Sequence, residues 1–374
     1  MAWESPFELT VYDSSLNRRG WIGAPAAVEL VPRHNAIGYA KITVDSRHPR
    51  VPDLVLPGAR MTVRYLDDML MSGRVGRVEG KGPRAQETVT VTIEDDFRLL
   101  SRLLGWPNPT GTLAQQGAAT AYDTVSGPAE TVVKTLVQRN AARSRPTVQV
   151  AASSGRGAVI QASVRMHPIA DRVLTAVDAA GVGVTVIQGS SGLVVDCYAP
   201  PPVPRVITEQ GGQVVDWSWT TTGPSATRVV VGGQGEGTAR EFVQVIDTDR
   251  ETAWGETVEV FRDARDTDDD AVLAQRGQET LAEGAPTTGL SLTLAESRGF
   301  RYGVHVRVGD QVTTRIAPGA DITDVLREAR ITWTVDAGLE VTPVVGERSD
   351  DTSTVLHRVV SQLARGIRDL KAGR

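Results

Sequence analysis

Apolar or β-branched residues alternate with polar ones through a series of short runs bounded by Gly and Pro: Phe7 to Val11, Ala40 to Val44, Met61 to Tyr65, Thr88 to Ile93, Trp217 to Thr221, Arg228 to Val231, Phe242 to Ile246, Tyr302 to Val308 and Arg330 to Val335. A period of two puts one set of side chains on each face of a strand, so the pattern predicts antiparallel sheets joined by short turns. Helical spacing is confined to a few places. Phe97, Leu100, Leu103 and Leu104 recur at steps of three and four before Gly105. Val132, Val133, Leu136 and Val137 do so after Pro128, and Ile169, Val173, Leu174 and Val177 after Pro168. With strand-like Thr147 to Val150 and Val182 to Ile187 beside them, residues 106–200 read as a small α/β insertion in a mainly β chain.

With 374 residues the chain exceeds what one core organises, which predicts several domains. Pro200-Pro201-Pro202-Val203-Pro204 lacks the N–H groups a central strand needs and reads as a junction. The acidic run Asp263 to Asp270 reads as a solvated loop entering a helix over 271–283, with calcium binding as the alternative. Two distant stretches look alike. Gly58 is followed at the third, fifth and seventh positions by Met61, Val63 and Tyr65, and Gly309 by Val312, Thr314 and Ile316, each leading into a hairpin. A duplicated barrel is the simplest reading of that repeat.

A net charge of -5 offers no basic stripe for phosphates, which disfavours sequence-specific nucleic-acid binding. Cys197 is the single cysteine, excluding an intrachain disulfide and a multi-cysteine zinc site. The start Met1-Ala2-Trp3-Glu4-Ser5-Pro6 has no basic or apolar leader and no run has the length of a membrane span, so synthesis in a cytoplasm is expected, with no integral membrane segment. His34, His48, His167, His305 and His357 are scattered, and no G-x-S-x-G elbow occurs. The expectation is a chain with no catalytic residue, no metal and no cofactor. His305 would alternate along a strand, facing outward or into a barrel's polar lining.

The segment Gly232, Gly233, Gln234, Gly235, Glu236, Gly237, Thr238, Ala239, Arg240 tempts a phosphate-loop reading. No Lys-Ser or Lys-Thr closes it, and a strand rather than a helix follows, so it reads instead as a tight or flexible inter-domain or interface loop. Near the C-terminus Leu356, Val360, Leu363, Ile367 and Leu370 form one helical stripe, with Arg358, Arg365, Arg368 and Lys371 off it. Such a stripe needs cover from a neighbouring chain or from its own subunit.

Together, Phe7-Glu8-Leu9-Thr10-Val11-Tyr12, the strand after Leu56-Pro57-Gly58, Val229 to Gly237 with Arg240, and Tyr302-Gly303 leading to Val308-Gly309-Asp310-Gln311-Val312 resemble the minor tail proteins of actinobacterial long-tailed bacteriophages that act as tail hubs. That family is similar in turn to baseplate hub proteins of contractile tails. The resemblance implies two tube-like antiparallel β-barrels per chain. The first spans 1–105, with 205–232 available to complete it; 106–200 is the insertion; 233–346 forms the second barrel region with a helical insertion; 347–374 is a C-terminal helix. It also implies a homotrimeric ring at the tail tip of the virion, around a channel for the tape-measure protein and for DNA in transit. The implied neighbours are the distal tail protein and tip or fibre and receptor-binding proteins. The competing reading is a carbohydrate-binding receptor-recognition protein, with Trp217, Trp219, Trp254 and Trp333 as a platform.

From its net acidity the chain should bind duplex DNA only weakly. A tight complex in a gel-shift titration, steeply weakened by added salt, would contradict this.

Overall fold

A computed structural model of the chain describes residues 4–346, apart from 67, 84–86, 117–119, 210–213, 295–300 and 318–319. The chain is mainly β and divides into two compact units, one combining 1–160, 164–217 and 291–345 and the other centred on 218–290. The expected helix over 347–374 lies outside the described residues, as do the five stripe positions on it.

The first unit opens with β1 (Phe7–Tyr12), β2 (Arg18–Ile22), β3 (Ala27–Val31), β4 (Tyr39–Asp45), the helical turn α1 (Val51–Leu54), β5 (Arg60–Tyr65), β6 (Asp68–Lys81) and β7 (Thr88–Asp95). Alternation decides which face is buried: Leu9 and Val11, Ala40, Ile42 and Val44, and Met61 and Val63 are all fully covered, while Glu8, Lys41 and Asp45 face solvent. The helix α2 (Leu99–Arg102) and β8 (Leu104–Gly105) then lead into the insertion, which holds β9 (Asp123–Pro128), α3 (Ala129–Asn140), β10 (Val148–Val150), β11 (Val159–Val164), β12 (His167–Pro168), α4 (Ile169–Ala179), β13 (Gly183–Gln188) and β14 (Leu193–Tyr198). Val132, Val133, Leu136 and Val137 of α3 and Ile169, Val173 and Val177 of α4 are buried, the faces their spacing predicts. Pro128 and Pro168 stand at the N-caps, immediately before the helices begin.

After β15 (Ile207–Thr208) and β16 (Val214–Thr222), the chain forms the second unit: β17 (Arg228–Gly232), β18 (Phe242–Ile246), α5 (Thr248–Trp254), β19 (Glu259–Asp263) and α6 (Asp270–Glu283). It returns as β20 (Thr287–Leu294), β21 (Gln311–Ala317), β22 (Ala320–Thr334) and β23 (Gly338–Gly346). In the largest sheet the strand order is β16-β20-β23-β22-β3-β4-β7-β6-β5-β1-β2, with β21 also on β22 and β15 on β21.

This order contains one arrangement twice. The series β3-β4-β7-β6-β5-β1 reappears as β16-β20-β23-β22-β21-β15. The register agrees as well. Arg60, Met61, Thr62 and Val63 face Arg74, Gly73, Ser72 and Met71; Gln311, Val312, Thr313 and Thr314 face Val325, Asp324, Thr323 and Ile322, at the same offsets from Gly58 and Gly309. In both copies the long strand shifts register once more, between Val75 and Arg77 and between Leu326 and Glu328. Val75 N donates to Ala59 O, as Leu326 N donates to Asp310 O, each at 2.8 Å. Both glycines have positive φ, +78° and +94°, and a Cβ at 309 would collide with the Tyr198 hydroxyl. The outer strands diverge: β1 runs antiparallel to β5, but β15 runs parallel to β21.

One expected strand is absent. Tyr302 to Val306 forms a tight turn, closed by Gly303 N donating to Val306 O at 2.9 Å with Gly303 at φ +79°. The glycine's left-handed backbone outweighs the alternating pattern around it, and His305 faces neither side of a sheet.

The insertion is tied to both copies by Asp178 of α4. Its Oδ1 accepts from Asn35 Nδ2 at 2.9 Å and lies 3.2 Å from His34 Nε2; its Oδ2 accepts from Arg327 Nη1 at 2.8 Å. Asn35, at φ +50°, also donates to Val182 O and accepts from Val184 N. Burial alone would raise the Asp178 carboxyl, but the His34 contact, the Arg327 charge and the Asn35 hydrogen bond bring it down to about 2. A folded-state value below that of the unfolded chain adds stability above about pH 4, lost as pH falls toward 2. Asp178→Asn should therefore cost roughly 2 kcal/mol at pH 7 and flatten the acid limb of the stability curve, read by urea melts from pH 2 to 7.

Candidate functional site

The glycine-rich segment is a hairpin connection inside the second unit. β17 and β18 pair antiparallel with Gly232 opposite Phe242, and β19 flanks β17 in parallel. The expected boundary between 232 and 233 falls within this sheet, because β17 and β18 hydrogen-bond across it. Val229, Val231 and Val245 join Leu273 and Leu281 of α6 in one buried cluster. Asp269 caps α6, its carboxylate accepting from Ala271 N at 2.9 Å, so part of the acidic run serves the helix end. No group of three or more metal-ligating side chains occurs among the described residues.

Arg240 organises the loop. Its Nη2 donates to Gly232 O at 3.0 Å and its Nε to Gly233 O at 3.1 Å, and the guanidinium pairs with Asp263. It also lies 5.6 Å from the Phe242 ring centroid and 5.5 Å from that of Phe261. A Cβ at 232 would sit 2.6 Å from Arg240 Nη2, and Gly235 holds φ +102° with Ala239 O where a Cβ would point. These glycines make room for an arginine and a tight turn. The loop's own helical part is a single turn, Gly237–Ala239, too short to present a dipole to a phosphate.

Side chains alternate on this sheet. Val243 and Val245 face α6, whereas Phe242, Ile246 and Phe261 are exposed on the opposite side, with Arg240 stacked between the two phenylalanines. The sequence pattern marks the strands, but the pairing of Arg240 with Asp263 and its aromatic flanks emerges only once β19 lies beside β17.

The other candidates are dispersed. Cys197 is buried in β14, and burial pushes its thiol up to about 12, which leaves it unreactive. His34 is buried and bonded through Nδ1 to the Tyr198 hydroxyl at 2.7 Å. His167 lies 2.7 Å from Arg172. Trp333 is 3% exposed, a core residue of β22, so the four tryptophans cannot form one sugar platform.

Residues 8–347 match the family described as Siphovirus ReqiPepy6 Gp37-like protein. No curated protein matches this chain in sequence. The fold is similar to that of the 43 kDa tail protein of prophage MuSo2 from Shewanella oneidensis, at TM-score 0.56 and 12% identity, covering 92% of this chain and 99% of that one. A tail protein from Neisseria meningitidis MC58 gives 0.56 and 14% over 92% and 97%, and prophage tail protein gp18 from Listeria monocytogenes EGD-e gives 0.52 and 12% over 96% and 99%.

Gly232→Val should displace Arg240 and break its two carbonyl bonds, lowering stability by about 1–3 kcal/mol. Thermal melts of this variant beside Arg240→Ala check it: because both lose the same contacts, the double variant should be little worse than either single one.

Proposed function

This chain belongs to the Siphovirus ReqiPepy6 Gp37-like protein family, and from that premise we propose that it is a structural virion protein, the hub at the distal end of a phage tail. In this reading three chains form a ring around the channel and connect the tail tube and distal tail ring to tip or fibre proteins. The observation that carries it is the duplication: two copies of one strand order and one register in a single chain. A three-fold ring of such chains presents six similar sheets, the symmetry match a six-fold tube requires. The likeness in fold to phage tail proteins supports the same role.

Each copy is then one tube-like barrel, the first built on β1–β7 and the second on β15, β16 and β20–β23. The tape-measure protein and DNA pass through the ring rather than bind it. The chain acts without catalysis: its thiol is buried, no group of three or more metal-ligating side chains occurs among the described residues, and its glycine loop is filled by Arg240. A carbohydrate-binding tip protein is the weaker reading, since burial of Trp333 removes part of the platform it needs.

Electron microscopy of the purified chain should show three-fold rings, and light scattering the mass of three chains. Truncation before Asp351 should leave the ring intact while weakening attachment of whatever lies below. A monomer in the full-length chain overturns the hub reading; loss of the ring only on truncation moves the assembly interface to the C-terminal stripe of Leu356, Val360, Leu363, Ile367 and Leu370.

A further inference from the structure

The first unit contains a cleft of about 980 Å³ between the Ser14–Leu16 turn, the start of β5, α2 and the segment 143–147. Six arginines line it: Arg60, Arg74, Arg98, Arg102, Arg143 and Arg145. The acidic complement is small. Asp96 at the base is buried and taken by Arg60 at 2.5 Å and by Ser72 at 2.7 Å. Glu94 pairs with Arg98, and the same carboxylate oxygen is 3.6 Å from Arg102 and 3.7 Å from Arg74, one acid shared by three cations. Among the described residues Arg143 donates to neutral oxygens, Leu104 O at 2.8 Å and Asn140 Oδ1 at 2.9 Å, and neither it nor Arg145 has a carboxylate partner.

The crowding has an electrostatic signature. Burial, and then the positive charges of Arg102, Arg74 and Arg60, hold the Arg98 guanidinium down at about 10. A cleft lined by one sign of charge focuses its field and concentrates counter-ions.

We propose that this cleft is a binding site for a phosphate-bearing anion without bases, such as a linear phosphate ester or polyphosphate. Guanidinium forks match phosphate oxygens, and a tetrahedral group accepts from several directions at once, where the two oxygens of Glu94 leave Arg74 and Arg102 beyond hydrogen-bond reach. Hydroxyls of Ser15, Ser144 and Thr147 on the rim add donors. Nucleic acid fits less well. Trp106 is the lining's one aromatic side chain, and Arg143 covers its ring at 4.0 Å, taking a face on which a base would stack.

Calorimetry of the full-length chain with tripolyphosphate, at about 0.15 M salt so that loose surface attraction is screened, tests the site. One saturable site per chain is expected, weakened at least tenfold in Arg145→Ala and again in Arg102→Gln. Both are exposed positions whose replacement should leave the melting temperature unchanged, and either variant alone suffices should the other fail to fold. Oligothymidylate and a glutamate-rich peptide are the competing probes. Absence of saturable binding, indifference to both substitutions, or tighter binding of either competitor would overturn the proposal. The site is built within one chain, so its outcome is independent of whether a ring forms.

Discussion

The Asp178 carboxylate is the point at which the insertion and both halves of the large sheet meet. It receives Asn35 and His34 from the β3–β4 connection and Arg327 from β22, so one α4 side chain joins the insertion to both halves of the duplicated sheet. Burying that charge is costly unless it is paired, and here each oxygen has its own partners. The geometry depends on backbone as much as on charge. Asn35 reaches in because it adopts φ +50°, and Arg327 because the register shift of β22 re-aims it from the ladder.

The two copies keep their register while using it differently. Where the second copy carries Arg327 at its shift, the first carries Gly76, over which the Glu94 side chain packs, 2.8 Å from where a Cβ would stand. Glu94 is thereby placed beside Arg98, Arg102 and Arg74. One bulge thus fastens the insertion while its counterpart arranges the charges of the arginine cleft. Divergence at a single equivalent position separates a structural task from a recognition task.

Much of this architecture is legible in the residues. Alternation marks β1, β4, β5 and β7, helical spacing marks α3 and α4, and the spacing after Gly58 and Gly309 exposes the duplication, because both glycines are required by positive φ at the same point of the strand entry. The pairing of β22 with β3 is not legible, since it joins segments about three hundred residues apart and no local pattern encodes a partner. Tyr302 to Val306 misleads because its alternation is real but Gly303 turns the chain. β6 runs on through Gly73, Gly76 and Gly80, where Gly73 admits the Glu94 carbonyl, Gly76 forms a bulge and Gly80 lies in open space. The role of Arg240 was hidden because its partners Asp263 and Phe261 come from another strand, and the cleft because its arginines are spread from 60 to 145.

The correspondence between β3-β4 and β16-β20 has a consequence for where the chain tolerates added length. In the first copy the link between the paired strands is the short stretch 32–38, pinned under Asp178; in the second, the equivalent link spans 223–286 and carries β17, β18, α5, β19 and α6 of the second unit. A hairpin tip that is free to lengthen is a graft point. Lengthening it costs only the slow logarithmic increase of loop closure, so the passenger can be exchanged without disturbing strand pairing. The pinned link has no such freedom, because any change in its length would draw His34 and Asn35 away from Asp178.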